Sequence, residues 1–112
     1  MAVPTLRGIY ALTNDGIDKA VTLKSPGAYV LGPIAPNQKL TVKYVGRSDA
    51  DLPNRLKQWV GKYPAFMYVY APTAVEAYHQ ECELYHGYPP LDNDVHPARP
   101  SGSSARCPRC GG

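Results

Sequence analysis

The chain has 112 residues, enough for one domain with a modest core and too few for two. Twelve basic against nine acidic residues leave a net charge of +3, which is compatible with nucleic acid but far below the surplus of strongly basic binders. No apolar run is long enough to span a bilayer and no basic-then-apolar leader is present, so a soluble, cytoplasmic protein is expected.

In chain order, Gly8-Ile9-Tyr10-Ala11-Leu12 is a short apolar stretch that reads either as an edge strand or as a loop packed on the core. Asn14-Asp15-Gly16 marks a turn or helix start, and Ile17, Ala20, Val21 and Leu23 keep helical spacing. Ser25-Pro26 ends that helix, because a residue before proline is pushed out of the helical region. Gly27-Ala28-Tyr29-Val30-Leu31 is the next strand, and the Pro- and Gly-containing residues 32–39 make a hairpin loop. Leu40, Val42 and Tyr44 alternate with Thr41 and Lys43, which predicts a returning antiparallel strand that Gly46 stops. Asp49 or Asp51 can cap a helix over residues 51–61, with Pro53 in its first turn, where no amide donor is missed. Ala65-Phe66-Met67-Tyr68-Val69-Tyr70 alternates as a third strand. Thr73 with Glu76 three residues on forms a capping box for a last helix, which Gly87 ends. From Tyr88 onward Pro, Gly, Ser and charge dominate without periodicity, as in a wrapping loop and tail.

These elements predict an α/β (α+β) fold, a small antiparallel three-stranded sheet flanked by helices. The chain divides into an N-terminal extension with a short helix at 1–24, a central domain at 25–95 and a tail at 96–112. Tyrosine is over-represented, nine against one Phe and one Trp, which points to a functional face or to buried phenols with bonded hydroxyls. Tyr44 at the strand and Arg55 on the helix beside it can reach one spot, where a phosphate can be held.

Gly27-Ala28-Tyr29, Tyr44-Val45-Gly46, Leu52-Pro53-Asn54-Arg55-Leu56 and the helix of Thr73 to Glu81 together resemble the GIY-YIG endonuclease superfamily. Each tripeptide alone is common; their order, spacing and structural context carry the resemblance, which runs to about Asn93. The literal Gly8-Ile9-Tyr10 is taken as coincidence, since a whole helix separates it from Tyr44. The resemblance implies a metal-dependent endonuclease that hydrolyses phosphodiester bonds in DNA. It implies catalytic roles for Tyr29, Tyr44, Arg55, Glu81 and Asn93, with Glu81 holding Mg²⁺ or Mn²⁺. One of the tyrosines would take a proton from the attacking water. A phenol is a poor base at its free pKa of about 10 and needs a nearby cation, which Arg47 or Arg55 supplies. Arg47 and Trp59 are the candidate substrate-binding residues.

Two features depart from the family pattern. The hairpin loop is somewhat long, and Trp59 stands one helical turn after Arg55, where related nucleases often have His or Tyr. Trp stacks or packs but cannot relay a proton, and Tyr63, His79 or His86 are the candidate substitutes. Taken singly, the tyrosines also read as half-buried strand residues, the arginines and Glu81 as surface charge, and Asn93 as a turn residue.

His79, Cys82 and His86 share one stripe of the last helix, where core packing is the favoured role for Cys82. In the tail, Cys107-Pro108-Arg109-Cys110 reads as half of a zinc site, which His96 with Cys82 or His86, or a second chain, would complete, or else as a redox-labile dithiol or an unligated tail. Three functions therefore compete: the endonuclease, a non-catalytic nucleic-acid-binding module on the same fold, and an interaction protein joined through zinc. So short a chain leaves little room for target recognition, so a homodimer, a protein partner or substrate shape would supply specificity.

Overall fold

A computed structural model describes residues 5–88. Its elements are β1 (Arg7–Ala11), α1 (Asn14–Ala20), β2 (Gly27–Gly32), β3 (Tyr44–Ser48), α2 (Leu52–Lys57), β4 (Ala65–Tyr70) and α3 (Ala74–Gly87). The strands form one antiparallel sheet in the order β1-β4-β2-β3. The α+β class expected from the sequence is present, but with four strands where three were expected. The extra strand is the Gly8-Ile9-Tyr10 stretch, which pairs with β4 and covers an edge whose backbone groups would otherwise be open to another chain.

β2 is central, and all six of its residues are buried because both sheet faces are covered. Tyr29 and Leu31 point to one side, into a cluster with Ile17, Leu52, Leu56, Phe66 and Tyr68 beneath α1 and α2. Ala28 and Val30 point to the other, with Val45 of β3 and Leu84 of α3. Leu12, Ile17 and Val21 belong to the first cluster, so the segment set apart in the sequence as an N-terminal extension supplies a strand and core side chains to the same body. α1 ends at Ala20, short of the Leu23 that the spacing included; Leu23 is 56% exposed.

β3 differs from expectation in its register. Alternation from Leu40 placed the strand before Gly46, whereas the ladder begins at Tyr44 and passes through Gly46 to Ser48. Residues 33–43 instead close an irregular hairpin, held by an isolated Ile34–Leu40 bridge and by bonds from Thr41 N to Pro33 O and from Lys43 N to Leu31 O. Gly46 is needed for another reason than a turn. It lies opposite Tyr29, and a Cβ placed on it would come 2.5 Å from the Tyr29 hydroxyl and ring.

α2 is capped by Asp51, whose carboxylate accepts from Asn54 N, and carries Pro53 in its first turn. It is shorter than the 51–61 span. Beyond Lys57 the bonds from Gln58 N to Arg55 O, Trp59 N to Leu56 O and Val60 N to Lys57 O tighten the chain into successive turns. Gly61 at φ +88° then releases it toward β4. These turns swing Trp59 back over β3. α3 begins at Thr73, whose hydroxyl accepts from Glu76 N at 3.1 Å, and it lies across β2 and β3 on the other face of the sheet.

Candidate active site

β3 is an edge strand, and its free side is where the two faces of the sheet meet. From one face come Tyr29, Tyr44 and, from the α2 segment, Arg55 and Trp59; from the other come Arg47 of β3 and Glu81 of α3. With Gly46 and Asp49 they line one cleft of about 290 Å³. Six residues named from the sequence thus converge: Tyr29, Tyr44, Arg47, Arg55, Trp59 and Glu81.

Tyr29 is 2% exposed. Its ring crosses Gly46, and its hydroxyl accepts a hydrogen bond from Trp59 Nε1 at 2.8 Å. Burial pushes the phenol well above its ordinary pKa, further than the Trp59 bond and the Arg55 charge bring it down. Tyr44 is half-buried against Trp59, ring centroids 4.4 Å apart. Burial raises its pKa as well, and the Glu81 charge adds to the rise against the opposing pull of Arg55. At neutral pH both phenols therefore keep their protons and present O–H donors. For Tyr29 the sign of the linkage follows directly. Its folded pKa lies above the unfolded value, so the stability it contributes is complete below about pH 10 and is lost as pH rises beyond. Urea unfolding between pH 9 and pH 11, wide enough to bracket that value, should show wild type losing stability more steeply than Tyr29→Phe; parallel slopes would contradict the buried, protonated phenol.

The other wall is ionic. Arg47 Nη1 donates to Glu81 Oε1 at 2.6 Å and Arg47 Nε donates to Asp49 Oδ1 at 2.7 Å. The side chains of Arg47 and Glu81 are 12% and 10% exposed, so this is a largely desolvated pair. Burial works to lower the Arg47 pKa, but the hydrogen bonds and charges of Asp49 and Glu81 outweigh it and hold the guanidinium above its ordinary value. The ring of Tyr78, one turn before Glu81 on α3, lies 5.3 Å beneath the guanidinium carbon. Arg55, by contrast, is exposed at the rim, and its Nη1 donates to Gln58 Oε1 at 3.2 Å.

Sequence reasoning missed two of these parts. Asp49 seemed a possible helix cap; Asp51 caps instead, and Asp49, in the bend just after β3, turns back to Arg47. Tyr78 carried no signal at all. Of the substitutes considered for a proton-relaying residue, Tyr63 touches the Trp59 ring, with centroids 6.3 Å apart. His79 sits beside Glu76 and Tyr78, and His86 packs on Tyr85; neither lines the cleft. Cys82 is fully buried beside Tyr78, as core packing requires. Asn93, His96, Cys107 and Cys110, and with them the proposed zinc site, lie outside the described residues.

The donor set suits a hard cation. Mg²⁺ and Mn²⁺ take oxygen ligands, and Mg²⁺ is commonly bound through one or two carboxylates while keeping several waters, so Glu81, whose Oε1 already accepts from Arg47, is the residue that would hold one. Among the described residues no group of three or more His, Cys, Asp or Glu forms an all-protein cage, and no helix is long and apolar enough to cross a membrane. Comparison with protein-family models, with curated proteins and with solved structures gives no match.

Proposed function

We propose that the chain is a metal-dependent endonuclease of the GIY-YIG type that hydrolyses phosphodiester bonds in DNA. The observation that carries this reading is the gathering of two phenols, two guanidinium groups and two carboxylates at the free edge of β3. A phosphodiester needs charge neutralisation of its equatorial oxygens, an aligned water and a stabilised leaving oxygen. Arg55, exposed at the rim, is placed to grip a phosphate as it arrives, and its planar fork matches two phosphoryl oxygens at once. Tyr44, the less buried phenol, donates to a phosphoryl oxygen and orients the water, which gives its proton to solvent at the open cleft as its oxygen bonds phosphorus and the bond to the leaving oxygen breaks. Tyr29, held by Trp59, fixes the position of that water and of the Tyr44 ring. Glu81 would hold Mg²⁺ or Mn²⁺, which when bound supplies Lewis-acid stabilisation at the leaving oxygen. Arg47 keeps the Glu81 carboxylate aimed into the cleft and adds positive charge beside it.

Nicking of supercoiled plasmid with Mg²⁺ or Mn²⁺ tests the reading. Wild type should relax the plasmid, and Arg55→Ala or Glu81→Gln should lose at least a hundredfold in rate, the loss that removal of one transition-state donor produces, about 10²–10³. Equal rates in wild type and variants, with circular dichroism confirming their fold, would overturn it.

One observation favours a second reading, a nucleic-acid-binding module without catalysis. The hydroxyl of Tyr29 is occupied by an indole that cannot pass a proton on, and burial makes both phenols reluctant bases. That reading expects salt-sensitive binding and an intact plasmid under every metal.

A further inference from the structure

The wall of the cleft formed by α2 and its following turns has a feature that phosphate chemistry does not call for. Tyr44 and Trp59 line the cleft, and Tyr63 lies next to both, with ring centroids 6.3 Å from each. All three are half-buried: they pack on the core cluster beneath α1 and α2 and leave part of each side chain at the surface, as a ledge beside the cleft. The ledge is rigid. The indole N–H is anchored to Tyr29, and the Tyr44 ring packs on the indole at 43° between planes. Past Tyr63 it continues into an open, largely apolar groove lined by Leu12, Val60, Gly61, Lys62 and Pro64, where Lys62 adds a positive charge.

We propose that this ledge holds one unpaired nucleobase, so that the DNA cleaved at the neighbouring cleft is single-stranded or carries an unpaired stretch at the scissile phosphate. The proposal rests on the phosphate-cleft reading and goes further, to the class of substrate. Tyr44 and Trp59 belong to both the cleft and the ledge, so a base on the ledge lies within one nucleotide of a phosphate at Arg55. In a duplex that base has both faces covered by its neighbours and is reached only after unstacking. In a single strand its face is open, and stacking on aromatic side chains beside a basic groove is how such strands are gripped. Apolar surface, fixed rings and flanking Arg55 and Lys62 match a base with its phosphates on either side.

Trp59 is the sole tryptophan of the chain, so its emission reports on the ledge alone. The full chain would be titrated in EDTA with oligothymidylate, with a duplex of equal length, with an abasic oligonucleotide and with oligouridylate. Oligothymidylate should quench the emission strongly; the duplex should quench it little. The abasic strand, which keeps the phosphates, should bind by anisotropy without quenching, and Arg55→Ala should weaken it. Trp59→Ala should weaken oligothymidylate at least tenfold, the size of one base–aromatic stack. Because Trp59→Ala also removes the bond to Tyr29, Tyr63→Ala serves as the second variant and should weaken oligothymidylate while sparing the abasic strand.

Equal quenching by duplex, or none by oligothymidylate while the abasic strand still binds, would overturn the ledge and leave the phosphate cleft standing. Quenching by oligouridylate in place of oligothymidylate would overturn the assignment to DNA. Absence of binding to every strand, in EDTA and again with Ca²⁺ in place of EDTA, would overturn both.

Discussion

Arg47→Met should destabilise the folded chain by about 3–5 kcal/mol, the cost of breaking a buried ion pair from one side. Glu81 is 8% exposed, and the substitution strips its carboxylate of the guanidinium 2.6 Å away while methionine fills much of the vacated space. Asp49 loses its partner as well, but it is more exposed and water replaces most of what it loses. The double variant Arg47→Met with Glu81→Gln should recover part of the loss, because both members of the ion pair are then removed together. Urea denaturation of the four proteins gives the coupling energy. A coupling below about 0.5 kcal/mol, the range of independent sites, would mean that the pair is solvated and does not hold α3 to the sheet.

Gly46→Ala should damage stability and activity together. A methyl group there meets Cζ and Oη of Tyr29 at 2.5 Å, inside any van der Waals contact. The ring cannot swing aside cheaply, since it is buried against Leu31, Leu52 and Leu56 and pinned by Trp59. Overpacking of this kind costs about 1–3 kcal/mol. The Tyr29 hydroxyl would also leave its place beside Tyr44, and misplacement of about 1 Å near a reacting centre is worth roughly a hundredfold in rate. Gly61→Ala is the contrast: it has open space around it but a φ of +88°, so it should cost stability through backbone strain and leave the cleft intact. If Gly46→Ala melted and cut like wild type, the crossing of Tyr29 over β3 would be wrong.

What the sequence disclosed divides along local and distant physics. The cap at Thr73, an acidic cap before α2 and the strand at β4 rest on neighbours within a turn or two, and each is found in the structure. Gly46 was misread because glycine in a strand pattern usually signals a backbone need. Here the missing Cβ accommodates a ring from seventeen residues earlier, which no local pattern encodes. The fourth strand stayed undecided for a similar reason: the Gly8 stretch is short, and only pairing with β4 defines it. At the site, the resemblance brought Tyr29, Tyr44, Arg55 and Glu81 into view together, and they line one cleft. It did not disclose that Glu81 would be tied to Arg47, thirty-four positions away, or that Trp59 would occupy the Tyr29 hydroxyl. Those bonds depend on how α3 and the turns after α2 lie over the edge of β3, which is tertiary structure.

If water attacks a phosphodiester in the cleft between Tyr29, Tyr44, Arg55 and Glu81, as proposed, its oxygen must end in the product. Cleavage of an end-labelled oligonucleotide in H₂¹⁸O with Mg²⁺, followed by mass spectrometry of the products, tests it most directly. The predicted result is one ¹⁸O atom in the new terminal phosphate for wild type and intact substrate for Arg55→Ala. Intact substrate with wild type, or identical labelled products from the variant, would contradict it.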